Sequence, residues 1–319
     1  MSPFDSVQSA AGCANHAPVQ PPPPLGGSER LAQSIDRLTA AIERLLERLP
    51  APAPVPSPPE SPFLEPTPEE IGLPTVRELL ESKGLCIQGF AVSKEEERPL
   101  LQLAWYLGTR YGTLRELLHK IKRAMNNGLH LSHDLAGLGS DDLSTNCQFA
   151  SLARDQGLLA DFRYVRSPRR VLLVTCSRDP NALNFFSGSW LELYLEESLR
   201  RARPGIVEVR RGMRVSLPTG EDFELDIVAK DRAGRLLWVE AKTGEYSGSL
   251  PKYERVRRIL DLPADRAILV LPEANAAVCE SLRLRYGLWA LNLGGWSQLV
   301  GSVATGASAP TNAQASSSK

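Results

Sequence analysis

Two apolar stretches joined by a turn constrain this chain more than any other feature. Phe223 to Ala229 and Leu236 to Lys242 flank a turn at Asp231 to Gly234. So short a connection implies an antiparallel hairpin. Residues two apart on a strand share a face. Glu240 and Lys242 are therefore expected to project together, with Leu237, Val239 and Ala241 turned toward a core. On the preceding strand Phe223, Leu225 and Ile227 form the apolar set and Asp226 points the other way. Asp226 then lies opposite Glu240 or one step diagonal from it, depending on the turn.

Two carboxylates and an ammonium at the mouth of an apolar hairpin are costly unless they find partners. A divalent cation between Asp226 and Glu240 would relieve their repulsion, and hard oxygen ligands suit Mg2+ or Mn2+. Such a metal activates water and neutralises a phosphodiester. Lys242 would orient that water or help deprotonate it, and would balance charge on pentavalent phosphorus. The backbone carbonyl of Ala241 is a further candidate ligand. A bare E-x-K string carries little information. An acid, a hairpin and E-x-K with alternation in both strands carry more, and Glu192, on an expected helix from Ser189 to Arg201, adds to them.

Asp226, Glu240-Ala241-Lys242 and the helical Glu192 together resemble the PD-(D/E)XK restriction-endonuclease-like superfamily. More closely, Gly188-Ser189-Trp190-Leu191-Glu192, Glu224-Leu225-Asp226 and Val239-Glu240-Ala241-Lys242-Thr243-Gly244 are similar to the nuclease domain of CRISPR-associated endonucleases activated by cyclic oligoadenylate. The match covers roughly Leu158 to Val300. The resemblance implies catalytic and metal-binding roles for Glu192, Asp226, Glu240 and Lys242, with Glu192 completing or orienting the metal shell. It implies a DNA- or RNA-cleaving activity and a part in defence against foreign nucleic acid. It also implies a winged-helix segment before the nuclease domain. Those relatives carry an N-terminal Rossmann-like sensor for the cyclic nucleotide, whereas no Gly-rich strand–helix unit precedes residue 68 here. Oligomerisation or a partner protein is then the expected means of control.

The expected fold class is α/β: a restriction-endonuclease-like mixed sheet flanked by helices, preceded by a helical, winged-helix-like region and an N-terminal coiled coil. Residues 1–27 are too poor in large apolar residues to fold alone. Within 28–50, Leu31, Ile35, Leu38, Ile42, Leu45 and Leu49 follow the 3.5-residue repeat of a coiled coil, so Leu31 to Leu49 is expected to form a homo-oligomer,. Residues 51–68 are a Pro-rich spacer. Residues 69–183 read as mostly helical, with a capping box at Thr113 and Glu116. They end in a hairpin from Leu159 to Val165 and Val171 to Cys176. Residues 184–300 hold the nuclease-like domain, and 301–319 an Ala/Ser/Gly/Thr-rich tail.

With 37 basic and 37 acidic residues the formal net charge is zero, which excludes a uniformly basic surface. Nucleic acid must then be met by local clusters. Arg163, Arg166, Arg169 and Arg170 sit in the 159–176 hairpin. Arg200, Arg201, Arg203, Arg210, Arg211 and Arg214 lie between Glu192 and Asp226. Lys252, Arg255, Arg257 and Arg258 follow the active strand. The alternative reading is a non-catalytic nucleic-acid-binding regulator that uses the winged helix and is oligomerised by the coiled coil. Five scattered cysteines without a C-x-x-C pair suggest neither a zinc site nor a disulfide framework,. The absence of a secretory pattern and of any apolar run near 20 residues leads to the expectation of a cytoplasmic protein that does not engage a membrane.

Overall fold

A computed structural model describes residues 72–91, 97–203 and 205–304. All of them fall in one compact unit, Pro58–Lys319. The expected disordered segment 1–27, coiled coil 28–50 and spacer 51–68 lie outside the described residues, as does the tail beyond 304.

In chain order the elements begin with α1 (Val76–Ser82), β1 (Cys86–Ala91), α2 (Arg98–Thr109), α3 (Tyr111–Asn126), β2 (His130–Asp134) and α4 (Ser140–Asp155). The hairpin strands β3 (Leu159–Val165) and β4 (Val171–Cys176) follow, then α5 (Pro180–Asn184). A π-helical turn (Phe185–Ser189) leads into α6 (Trp190–Arg201). Strands β5 (Ile206–Ser216), β6 (Asp222–Asp231) and β7 (Leu236–Ala241) precede α7 (Leu250–Ile259). The chain then runs through β8 (Ala267–Val270), α8 (Ala276–Tyr286), β9 (Trp289–Leu291) and α9 (Leu293–Ala304).

The main sheet has six strands in the order β1-β5-β6-β7-β8-β9. Strands β1, β5, β6 and β7 pair antiparallel, whereas β7 to β8 and β8 to β9 pair parallel. The result is a mixed α/β architecture with helices against the sheet. On one face, Val76 and Leu80 of α1, Tyr253 and Val256 of α7 and Leu282 of α8 pack onto Met213, Leu225, Trp238 and Leu269. Helix α6 packs across β5, β6 and β7 and against α2. Among the described residues no helix is long and apolar enough to cross a membrane.

Several elements differ from the sequence-based expectation. Residues 86–91, placed in a mostly helical region, form β1 and join the main sheet, so that sheet does not start at residue 184. A third strand, β2, extends the β3–β4 hairpin into a small sheet ordered β2-β4-β3. Thr113 does not cap a helix. Helix α3 already starts at Tyr111, and the Thr113 hydroxyl instead donates to Asp142 at 2.9 Å. The capping box belongs to Thr75 and Glu78 at the head of α1. The Gly294-Gly295 pair lies in α9, which runs to Ala304. The Asn292 side chain accepts from Gly295 N–H there, and Leu293, Trp296 and Leu299 are buried.

The in–out alternation on β6 also departs from expectation. Phe223 and Leu225 join the core cluster, but Val228 follows them there instead of Ile227. The shift falls at Asp226, between the pairs Arg211–Ile227 and Met213–Leu225, beside Gly212 with its φ of +59°. A left-handed residue in a strand bends it and re-aims neighbouring side chains. A Cβ at Gly212 would meet the Ala91 Cβ at 3.3 Å. Gly212→Val is therefore expected to lower stability by about 1–3 kcal/mol. Urea denaturation reads this directly, and an unchanged midpoint would show that the strand tolerates a side chain here.

Candidate active site

The β6–β7 register pairs Ile227 with Val239 and Val228 with Trp238. Beyond the last of these pairs, Asp226 meets Glu240 and Ala241 through hydrogen bonds. The Ala241 N–H donates to Asp226 Oδ2 at 2.9 Å, and the Asp226 N–H donates to Glu240 Oε1 at 3.2 Å. The Trp238 indole donates to the same Glu240 oxygen at 3.0 Å, as same-face neighbours on one strand should. Lys242 Nζ lies 3.3 Å from Asp226 Oδ2 and 3.7 Å from Glu240 Oε2, so its ammonium bridges both acids.

Glu240 is only 3% exposed. Burial, and then the Asp226 charge, push its pKa well above the usual carboxylate range. Burial also works against the Lys242 ammonium, but Asp226 and Glu240 more than offset it and its pKa is raised. Tyr253 on α7 lies beside Lys242, with Lys242 Nζ 5.9 Å from the ring centre. Glu192 projects from the first turn of α6, where burial and then Asp226 push its carboxyl up to about 7. Among the described residues no three His, Cys, Asp or Glu side chains close into a metal cage. The closest approach to one is the Asp226–Glu240 pair, whose repulsion the Lys242 ammonium partly relieves.

The Glu192 shift carries a pH dependence. Its folded pKa lies above the ordinary glutamate value of 4.5, so the folded protein holds this proton to higher pH than the unfolded chain,. The resulting stability is fully present below about pH 4.5 and is lost as the pH rises to about 7. In chelator-treated protein, Glu192→Gln should flatten the decline in urea midpoint over that window. Parallel curves for variant and wild type would count against the shift.

No protein-family model and no curated protein matches the chain. Solved structures are similar to it, among them two of bacterial proteins. Protein VC1899 from Vibrio cholerae is 18% identical, with a TM-score of 0.47. Can2 from Sulfobacillus thermosulfidooxidans, solved in complex with cyclic tetra-adenylate, is 15% identical, with a TM-score of 0.48. Each likeness covers 72% of this chain, which spans 60% of the other. Chemistry at the site rests on its own geometry.

The basic residues expected to hold phosphates are mostly engaged elsewhere. Arg210 pairs with Glu208 at 3.0 Å and stacks over Phe90. Arg211 bridges Glu196 at 2.8 Å and Glu97 at 2.7 Å. Lys252 and Arg255 both bind Glu221, and Arg258 pairs with Glu254. On the small sheet Arg169 faces Asp134 at 3.8 Å, and Arg170 donates to the Ala136 carbonyl at 2.6 Å. Arg163 and Arg166 are exposed and form no ion pair among the described residues.

Three positions at the site had not been singled out. Trp238 anchors Glu240 through its indole. The Thr243 hydroxyl donates to the Ser187 carbonyl, tying the end of β7 to the π-helical turn before α6. π-Helical turns recur at functional sites. The third is Lys122 on α3, whose ammonium donates to the Thr243 hydroxyl at 3.3 Å.

Proposed function

We propose that this chain is a metal-dependent nuclease that hydrolyses phosphodiester bonds of DNA or RNA. The observation that carries the reading is the meeting of Asp226, Glu240 and Lys242 in the β6–β7 hairpin, with both acids buried. Perturbed carboxyls beside a cation are characteristic of reactive sites. A part in defence against foreign nucleic acid is proposed from the motif resemblance alone.

The donor set fits Mg2+ or Mn2+. Both acids offer hard oxygens, and the charge that burial disfavours on Glu240 is one that a cation would stabilise,. Asp226, Glu240 and the Ala241 carbonyl would hold the ion, with Glu192 completing or orienting the shell. When bound, the ion supplies Lewis acidity toward water and phosphate. Lys242 would turn its ammonium from the acids to the scissile phosphate, orienting the attacking water and balancing charge on pentavalent phosphorus. The Tyr253 ring would flank the Lys242 amine, and Trp238 would keep one Glu240 oxygen fixed.

The test is incubation of the purified chain with single- and double-stranded DNA and RNA, with and without Mn2+, beside an Asp226 variant. Cleavage that needs Mn2+ and Asp226 is expected. A second reading, non-catalytic nucleic-acid binding by the small sheet, draws support from exposed Arg163 and Arg166. Salt-sensitive binding without metal-dependent turnover would favour it.

A further inference from the structure

Lys122 is a half-buried ammonium whose partners are all neutral. It donates to the Ser187 carbonyl at 3.5 Å, the Thr243 carbonyl at 3.4 Å and the Thr243 hydroxyl at 3.3 Å. These distances lie at or beyond the long end of ordinary hydrogen bonds, roughly 2.7–3.2 Å. Lys122 forms no ion pair among the described residues, and burial lowers its pKa. Among the other part-buried or buried lysines, Lys83, Lys230, Lys242 and Lys252 each face a carboxylate, whereas Lys120 donates to the Ser132 carbonyl at 3.4 Å.

Beside it opens a cleft of about 300 Å³, lined by Lys242, Thr243, Tyr246, Glu273, Val278 and Tyr111, among others. Glu273 is the acid nearest to neutralising Lys122, but it is otherwise engaged. It accepts from the Tyr111 hydroxyl at 2.7 Å and pairs with His119 at 2.6 Å. The cleft thus lies at the Lys242 end of the active strand, and Lys122 adjoins it through its lining residue Thr243. Its volume is at the lower limit of small-molecule pockets, roughly 300 Å³. That suits one unpaired nucleotide.

We propose that this cleft seats one nucleotide of a single-stranded substrate, next to the scissile bond, with Lys122 holding its phosphate. The proposal rests on the nuclease reading for the position of the bond. A lysine on a flexible stem can swing from weak carbonyl contacts to a phosphate. The helical layer then supplies part of the substrate site, and single-stranded DNA or RNA is the substrate class.

Anisotropy titrations of the full chain with labelled single-stranded DNA and RNA, in chelating buffer at several salt concentrations, test it. Lys122→Gln is expected to weaken binding of the accepted strand roughly tenfold. It should also reduce the salt slope by about 0.7, one phosphate contact on a single strand. Lys122→Arg should keep wild-type affinity and slope, and the affinity for duplex should not change. A purely structural role would not move the slope. Equal slopes and affinities in Lys122→Gln and wild type overturn the site. So does a wild-type chain that binds neither strand, while equal weakening for duplex overturns the single-strand assignment. On wild type alone, bound strand should slow amine acylation of Lys122, read by mass spectrometry. Unchanged labelling overturns the site even if the variant does not fold. The two readings separate cleanly. Mn2+-supported cleavage with equal KM in wild type and Lys122→Gln removes this site and leaves the nuclease. A Lys122-dependent slope without any cleavage does the reverse.

Discussion

Asp226→Asn is expected to abolish Mn2+-dependent cleavage while leaving the fold intact. Asparagine retains an oxygen to accept the Ala241 N–H, the 2.9 Å bond that Asp226 makes now. What it loses is the charge facing Lys242 and a metal ligand. An ion supplies several kcal/mol of transition-state stabilisation, so a loss on the order of a thousandfold or more in rate is expected. Asp226→Ala would in addition leave a buried N–H unpaired, at about 1–3 kcal/mol of stability. The asparagine variant therefore separates chemistry from folding. Lys242→Met should lose about a hundred- to thousandfold in kcat, in the manner of a removed charge-stabilising donor. Melting curves check the fold, and single-turnover assays with Mn2+ read the rate. Near-wild-type cleavage by both variants would sink the assignment.

Arg211→Ala is expected to act on stability before it acts on nucleic acid. Its guanidinium is half-buried and joins two acids from distant parts of the chain, Glu97 at the head of α2 and Glu196 on α6. Glu196 is 2% exposed and keeps Arg200 at 2.7 Å as a second partner. Removing one member of a buried charge network leaves the others poorly compensated and costs about 3 kcal/mol. The urea midpoint should fall accordingly. Arg163→Ala and Arg166→Ala, at exposed positions, should leave it unchanged. A midpoint unmoved by Arg211→Ala would return that residue to the list of phosphate contacts.

The contrast shows where sequence reading succeeds and where it stops. The hairpin was legible because alternation is a local property: Glu240 and Lys242 follow from parity on β7 and the short turn brings Asp226 near them, whereas the break in β6 alternation at Asp226 was not legible. The helix at 190–201 was legible as well. Strand β1 was not, because CIQGFA lacks clean alternation and becomes a strand only by pairing with β5. The α9 helix was hidden by Gly294-Gly295, whose turn preference is overridden by burial of Leu293, Trp296 and Leu299. Charge partners were hidden more deeply. Nothing in the order of residues says that Arg211 meets Glu97 across 114 positions, or that Lys122 meets Thr243 across 121. Long-range pairing of charged side chains is decided by packing, which a linear pattern does not encode.

Strand β7 is antiparallel to β6 on one side and parallel to β8 on the other. The acids are thus anchored in the interior of the sheet, while the segments that follow β7 and β8 emerge at the same rim. Loops at such a rim vary without disturbing the strands beneath. Residues 243–249 and 271–275 can therefore drift, lengthen or be exchanged while the reacting groups stay fixed. Selection or a protein engineer could in this way retune which strand is accepted without rebuilding the machinery that cuts it.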